Sequence, residues 1–331
     1  MKKILITGSS GYIGSCLYKF LLKKKYTVYG IDKVKTNNIK NTFKANLNNT
    51  NKLNKIIKKI NPKIIIHLAA QSTLDQINKK KKYILNNYIA TKNLLKSMNK
   101  YRINKIIFSS TAAVYKSNNL NLKENSTLGP NNIYGSTKLK CEKIIRKNKE
   151  IKFIIFRFFN VCSSIPSLKV GENHNPETHL IPLTIKKILK KKEWGRGIIK
   201  IYGKNYKTND GTCIRDYIHI EDLCRAYEKA IKLLIKNNLK NQTLNIGTGI
   251  GYTNLEIVNK IKSLIKFSKK INIVKFVKRR KGDVDRLVCS YNKAKNLLGW
   301  TPKKSNLKNI IRDELRWQKK SQSKSIFNTT T

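Results

Sequence analysis

The sequence predicts an α/β chain: a doubly wound parallel sheet with a smaller C-terminal α/β domain. Three observations lead there. Short runs rich in Ile, Val and Phe close on small residues or an acid; helical patterns of roughly 10–20 residues separate them; and the alternation weakens beyond residue 161. Buried runs alternating with helical patterns are what parallel strands and crossover helices look like in sequence.

The elements follow in order. "KILIT" (residues 3–7) is a buried strand ending in a glycine cluster, and "YIGSCLYKFLLKK" is the helix after it. "YTVYGID" is a second strand closing on Asp32, "NKLNKIIKKI" a helix, and "PKIIIHLAA" a buried strand after Pro62. "YILNNYIATKNLLKSMNKY" has apolar residues at helical spacing and precedes the strand "NKIIFSST". A helix from "IYGSTKLKCEKII" then leads to the strand "KFIIFRFFN". Further on, "SIPSLKVGENHNPET" reads as loop and "LIPLTIKKILKKK" as helix. "RDYIHIEDLCRAYEKAIKLL" reads as a strand or turn and then a helix, and "QTLNIGTG" as a strand. "TNLEIVNKIKSLIK" is a helix whose Thr253 and Glu256 suit a capping box. "KINIVKFV" reads as a strand, and the polar tail "KKSQSKSIFNTTT" is expected to fray from about residue 320. The expected division is a first domain over 1–161, to which the chain returns around 214–250, and a second over 162–331.

Composition sets bounds. With 331 residues the chain can bury a sizeable core, and no apolar run reaches the roughly 18–20 residues of a membrane span. The apolar start is too short for a secretory leader and runs into glycines, so a cytoplasmic protein is expected, with no membrane partner. Six scattered cysteines without a C-x-x-C pair read as reduced, packed thiols. His174 and His179 are five apart, match no metal-ligand spacing and have no cysteine nearby, so no metal is expected. The formal charge of +53 invites nucleic acid. The lysines, however, are spread along the chain among asparagine and isoleucine, all with A/T-rich codons, so the charge reads as compositional and no specific nucleic-acid partner is expected.

"ITGSSGYIGSC" places Gly8, Gly11 and Gly14 between a strand and a helix. Glycines there allow a tight turn and let backbone N–H groups approach a pyrophosphate at the helix N-terminus. Asp32 ends the next strand, where an acid can hold both ribose hydroxyls of NAD and repel the 2′-phosphate of NADP. The pattern is that of a Rossmann-type dinucleotide site, with NAD the expected cofactor.

A second constellation sits further on. "NNIYGSTKLK" puts Tyr134 four residues before Lys138, one turn apart on a helix face. "IIFSSTAAVY" supplies Ser109, Ser110 and Thr111 at the end of a strand, at the sheet edge where open α/β sheets bind ligands. Hydroxyl, phenol and ammonium suit hydride transfer, the phenol exchanging a proton with a sugar hydroxyl. A nearby lysine ammonium and a nicotinamide cation are expected to lower the phenol's pKa from its usual value of about 10.

With these motifs in place, the chain resembles the extended short-chain dehydrogenase/reductases, and among them the UDP-glucose 4-epimerases. The likeness runs from "ILITGSSGYIGS" to "NKAKNLLGWTPK". "NYKTNDGTCIRDYIHIEDL", "NIGTGIGYTNLEIV" and "RRKGDVDRLV" are its more specific parts. The resemblance implies interconversion of UDP-glucose and UDP-galactose through a 4-keto sugar, tightly held NAD, a UDP-sugar domain at the C-terminal side, and a homodimer. It implies Thr111, Tyr134 and Lys138 as catalytic residues. It sets the cofactor against Gly8, Gly11, Tyr12, Ile13, Gly14, Asp32, Asn46, Leu47, Leu68, Ala69, Ala70, Asn87 and Ser109, as well as Tyr134 and Lys138. It sets the UDP-sugar against Thr111, Asn160, His179, Leu180, Tyr202, Arg215, Arg280, Asp283 and Leu287. Leu287 falls where the family lines the wall beside the sugar's C2 substituent, so a lower activity on the N-acetylated pair is expected too.

Three positions depart from the family's pattern: Asn46 stands for an aspartate, Ser72 for a lysine and His179 for an asparagine. Two rivals remain. A nucleotide-sugar dehydratase on the same fold needs an Asp-Glu pair after the threonine, where this chain has Ala112 and Ala113. A non-catalytic NAD- or RNA-binding protein is opposed by the intact Thr111, Tyr134 and Lys138.

Overall fold

Each of the first strands predicted from apolar runs enters one sheet. In the computed structural model, which describes residues 2–34, 40–72, 80–117, 120–172, 174, 177–194, 198–236, 241–266 and 274–327, β1 (Lys3–Thr7) leads to α1 (Tyr12–Lys23) and β2 (Thr27–Asp32). β3 (Thr42–Lys44), α2 (Thr50–Ile60) and β4 (Ile64–His67) follow. The next helix has three stretches: α3 (Lys80–Tyr83), a π-helical turn (Ile84–Ile89) and α4 (Ala90–Lys100). β5 (Lys105–Thr111), α5 (Ile133–Lys147) and β6 (Lys152–Phe158) complete the alternation.

The chain then leaves the sheet through β7 (Asn160–Cys162), β8 (Ser164–Ile165), β9 (Val170–Gly171), α6 (Leu180–Trp194) and β10 (Ile199–Tyr202). β11 (Ile214–His219), α7 (Ile220–Ile235) and β12 (Gln242–Ile246) bring it back. β13 (Gly251–Thr253), α8 (Asn254–Leu264), β14 (Val274–Val277), β15 (Arg286–Leu287), α9 (Asn292–Leu298) and α10 (Leu307–Phe327) end it. α10 continues into the polar tail that the sequence marks for fraying. Of "KINIVKFV", only Val274–Val277 lies within the described residues, and it is a strand.

Seven parallel strands form the main sheet in the order β12-β6-β5-β4-β1-β2-β3. The order reverses between β1 and β4, the crevice where such sheets bind ligands. Ile4, Ile6, Ile64 and Ile66 pack on one face against α1 and α7, and Leu5, Ile65, Ile106 and Phe108 on the other against α2, α4 and α5. Successive strand residues alternate faces, so a strand covered on both sides must be apolar throughout, as these runs are. β12 pairs with β6, which places "QTLNIGTG" at the edge of the first sheet. The short β3 escaped the sequence reading: three residues on an edge strand are too few to show a period.

The remaining strands frame the other side. β11 pairs with β7, β13 and β15, and β10 with β14. The Thr253 hydroxyl accepts from Glu256 N–H at 3.1 Å and the Glu256 carboxylate accepts from Thr253 N–H at 2.7 Å, completing the expected capping box. All six cysteines are free and buried. Among the described residues no helix is long and apolar enough to cross a membrane.

Candidate active site

The glycine turn is built around missing side chains. Gly8 has φ +76°, and a Cβ there would stand 2.7 Å from Ala69 N. A Cβ on Gly14 would stand 2.0 Å from the Gly8 carbonyl. So the turn, the loop after β4 (Leu68, Ala69, Ala70) and the first turn of α1 (Tyr12, Ile13) close on one another, and no side chain caps α1 at Gly11. Asp32, at the tip of β2, accepts from Ser10 N–H at 2.9 Å and Val34 N–H at 3.2 Å, which fixes its carboxylate beside the turn. An uncapped helix N-terminus, a cradle any Cβ would fill, and an acid at the next strand end fit a dinucleotide's pyrophosphate and ribose. Leu47 is buried, and the exposed Asn46 accepts from Asn48 N–H at 3.0 Å. Ser72 is exposed too.

Asn87 lies on the π-helical turn, a feature often found at functional sites. Its Oδ1 accepts from Gln71 N–H at 2.7 Å, and its amide donates to the Gln71 carbonyl at 3.2 Å and to the Thr137 hydroxyl at 3.0 Å. One buried side chain thus ties the loop after β4 to α5. His67 is hydrogen-bonded to Thr7 at 2.7 Å and to Thr91 at 2.9 Å. Burial first, and the Lys138 charge second, push its pKa down to about 3, so it holds the loop as a neutral ring.

Thr111 ends β5, and Tyr134 and Lys138 project from the first turns of α5. Asn132 caps this helix, its Oδ1 accepting from Gly135 N–H at 2.8 Å. A Cβ on Gly135 would lie 2.2 Å from the Ala113 carbonyl, so glycine next to Tyr134 lets the helix reach the end of β5. There the Thr111 hydroxyl acts on the Tyr134 phenol, favouring its charged form. Lys138 is buried, donates to the Ser109 carbonyl at 2.6 Å, and lies 4.7 Å from the Phe108 ring centre. The Ser109 hydroxyl is bonded to Tyr227 at 2.6 Å instead of facing the site. Below, Glu142 accepts from Arg157 at 2.9 and 2.6 Å, a bidentate buried pair beneath Thr111 and Ser110.

One expectation needs correction. Within the chain itself, burial pushes the Tyr134 phenol up to about 12, with the Thr111 hydroxyl pulling the other way. Lys138 has its pKa pushed down by burial, to about 8. Its ammonium points at a backbone carbonyl rather than at the phenol.

On the other side of the cleft, predicted residues meet in pairs. Arg215, on β11, is buried and its guanidinium is paired with Asp283. Asp216 takes no part in that pair. Neighbouring strand residues face opposite ways, and Asp216 accepts from Thr248 N–H at 2.8 Å, Gly249 N–H at 2.9 Å and Cys289 N–H at 3.3 Å. Arg280 stacks on Tyr202 at 4.0 Å. Asn160 is exposed and stands opposite Tyr217 in the β7/β11 register. Leu287 sits opposite Arg215 in the β11/β15 register and packs against the buried cluster that includes Ala112, Val114 and Cys289. His179 is drawn to Glu177 at 2.8 Å, and Leu180 opens α6; neither is tied to the Arg215 or Arg280 pairs. Gly135, Thr137, His67 and Asp216 were not singled out as site residues from the sequence. Only Gly135 left a trace, as the glycine beside Tyr134.

Comparison with known proteins agrees with this geometry. A family model described as the NAD dependent epimerase/dehydratase family matches residues 4–247. A UDP-glucose 4-epimerase of Lactobacillus helveticus is 36% identical, covering 96% of this chain and 97% of that protein. A crystal structure of UDP-glucose 4-epimerase superposes with a TM-score of 0.87 at 35% identity, covering 97% of this chain and 98% of the other. That of the Bifidobacterium longum enzyme, in complex with NAD+ and UDP, superposes with a TM-score of 0.87 at 27% identity over 97% and 99%.

Proposed function

We propose that this chain, which belongs to the NAD dependent epimerase/dehydratase family, is a UDP-glucose 4-epimerase that interconverts UDP-glucose and UDP-galactose. The observation that carries the reading is the meeting of Thr111, at the end of β5, with Tyr134 and the buried Lys138, one helical turn apart on α5. Relatives of this name over nearly the whole chain support it.

Gly8, Gly11, Tyr12, Ile13, Gly14 and Asp32 hold NAD at the glycine turn, with Asn46, Leu47, Leu68, Ala69, Ala70, Asn87 and Ser109 continuing its bed. Bound there, NAD supplies the hydride acceptor and donor for sugar C4 and a positive charge close to the reacting oxygen. Tyr134 takes the proton of the sugar 4-OH as C4 gives up its hydride, leaving a 4-keto sugar. After the sugar turns its other face, Tyr134 returns the proton to O4. Thr111 hydrogen-bonds that oxygen as it becomes a carbonyl. In the chain alone burial holds the Tyr134 phenol protonated; in the assembled site positive charge would draw its pKa down, its proton would leave to solvent, and the phenolate would be the form that accepts from the 4-OH. Lys138 contributes to that charge and holds the cofactor ribose.

Arg215, Asp283 and Asn160 take the diphosphate and uridine ribose, Tyr202 with Arg280 the uracil side, and His179 and Leu180 the diphosphate's other flank. Leu287 lines the sugar. Residues 1–161, with the return at 214–250, serve the cofactor; 162–331 mainly serve the UDP-sugar. The enzyme works as a homodimer in the cytoplasm, where free buried thiols such as these six stay reduced. Purified protein given UDP-galactose and no added cofactor tests the reading. It should form UDP-glucose. Protein that releases NAD on denaturation yet leaves UDP-galactose unchanged would refute it.

A further inference from the structure

Three of the chain's 18 acidic residues are buried together on the far side of α1: Glu172, Glu177 and Glu314, their side chains 3%, 5% and 0% exposed. Two of them leave an oxygen without a hydrogen bond among the described residues, Glu177 Oε2 and Glu314 Oε2. Lys186 lies 4.0 Å from Glu177 Oε2, at the limit of an ion pair. Buried carboxylates so poorly matched are costly unless a cation joins them or a proton does.

Two imidazoles converge on the same acids. Nδ1 of His174 contacts Glu172 Oε1, and Nδ1 of His179 stands 3.8 Å from Glu172 Oε2 and 2.8 Å from Glu177 Oε1. One donor atom from each of Glu172, His174 and His179 falls within 4.8 Å of the others. Donors about 2.0–2.2 Å from a tetrahedral ion stand roughly 3.3 Å apart. The carboxylate is already centred between the rings. Glu172 is also fixed by its backbone: its carbonyl accepts from Trp317 Nε1 at 2.6 Å, and a Cβ on Gly171 would lie 2.8 Å from the Trp317 ring. The histidines, 34% and 50% exposed on their side chains, have the freedom to close on an ion and leave a route for it to enter.

We propose that Glu172, His174 and His179 form a site for a first-row divalent cation of the zinc class, with the ion taking the place beside His179 Nδ1 that Glu177 Oε1 now shares. Two imidazoles and a carboxylate suit Zn²⁺, Co²⁺ or Ni²⁺ and disfavour Mg²⁺ and Ca²⁺, which take oxygen ligands. Binding displaces the protons that the imidazoles and carboxylates now share, and it clamps the segment before α6 onto α10. The sequence reading expected no metal because His174 and His179 alone match no ligand spacing. Glu172 supplies the missing donor, and the fold, not the spacing, brings it between them. His179 also flanks the proposed diphosphate site, so cation uptake is measured without UDP-sugar, where it does not rest on the epimerase reading.

The test uses the full chain after treatment with chelator. Co²⁺ is titrated as a visible-absorption probe and Zn²⁺ by calorimetry, against wild type, His174→Ala and Glu172→Gln. The expected result is one equivalent bound by wild type, weakened by about 100-fold or more in each variant, which loses a direct ligand. Zn²⁺ should also raise the thermal midpoint of wild type and not that of His174→Ala. No saturable uptake by wild type, uptake equally tight in both folded variants, or Mg²⁺ bound as tightly as Zn²⁺ would each overturn the assignment.

Discussion

Replacing Lys138 by methionine is expected to leave the chain at least as stable as it was while removing most of its activity. Lys138 is 3% exposed, and burial pushes its pKa down from 10.5 to about 8. Keeping it charged at neutral pH therefore costs about 3 kcal/mol relative to the unfolded chain. Methionine relieves that cost but takes away the donor 2.6 Å from the Ser109 carbonyl, a loss of about 1–3 kcal/mol for a buried acceptor. The balance is a variant roughly 0–2 kcal/mol more stable. The pH dependence has a definite sign. With the folded pKa below the unfolded one, the unfolded chain binds more protons between about pH 8 and 10.5, so wild-type stability rises with pH through that window. Urea unfolding at about pH 7 and about pH 9 should therefore show the variant's advantage narrowing at the higher pH. Epimerase activity should fall by roughly 10²-fold or more, the scale of losing one preorganised charge. A variant more than about 1 kcal/mol less stable than wild type at pH 7, or one that kept full activity, would refute the reasoning.

Other outcomes follow from the same geometry. Gly14→Ala would press a Cβ to 2.0 Å from the Gly8 carbonyl; protein purified with this change should release little NAD on denaturation, and a normal NAD content would contradict the cradle. Asp32 beside the glycine turn selects against a 2′-phosphate, so the cofactor recovered from wild type should be NAD, and stoichiometric NADP would count against it. Leu287→Tyr should abolish turnover of the UDP-N-acetylhexosamine pair and spare glucose and galactose. Overfilling by about 1–3 kcal/mol is roughly 5- to 150-fold in rate, and equal turnover in both proteins would remove Leu287 from the wall.

The main sheet was legible because its strands are buried on both faces and so read as uninterrupted apolar runs, from "KILIT" to "KFIIFRFFN". The glycine turn and the Tyr134–Lys138 spacing were legible because local geometry alone demands those residues. What the sequence hid depends on contacts across long separations. Asp216 is next to Arg215 in sequence, yet strand alternation sends it to the "NIGTG" turn and leaves Arg215 to Asp283, 68 positions away. The raised pKa of the Tyr134 phenol in the chain alone was hidden for a related reason. Helical spacing brings Lys138 close, but the end of β5 offers its ammonium a carbonyl, and burial then governs the phenol. β3 and Glu172 were invisible because three edge residues carry no period and a single glutamate carries no motif.

The central claim is that Tyr134 carries the proton of the sugar 4-OH in a chain that keeps its own NAD. Tyr134→Phe tests it most directly, since the ring stays and only the phenol hydroxyl is lost. Wild type and variant, matched for fold and NAD content, are given UDP-galactose and followed to UDP-glucose. The expected result is a variant slower by roughly 10²–10⁴-fold. A variant within about threefold of wild type, against that 10²–10⁴ scale, would place the proton transfer on another residue.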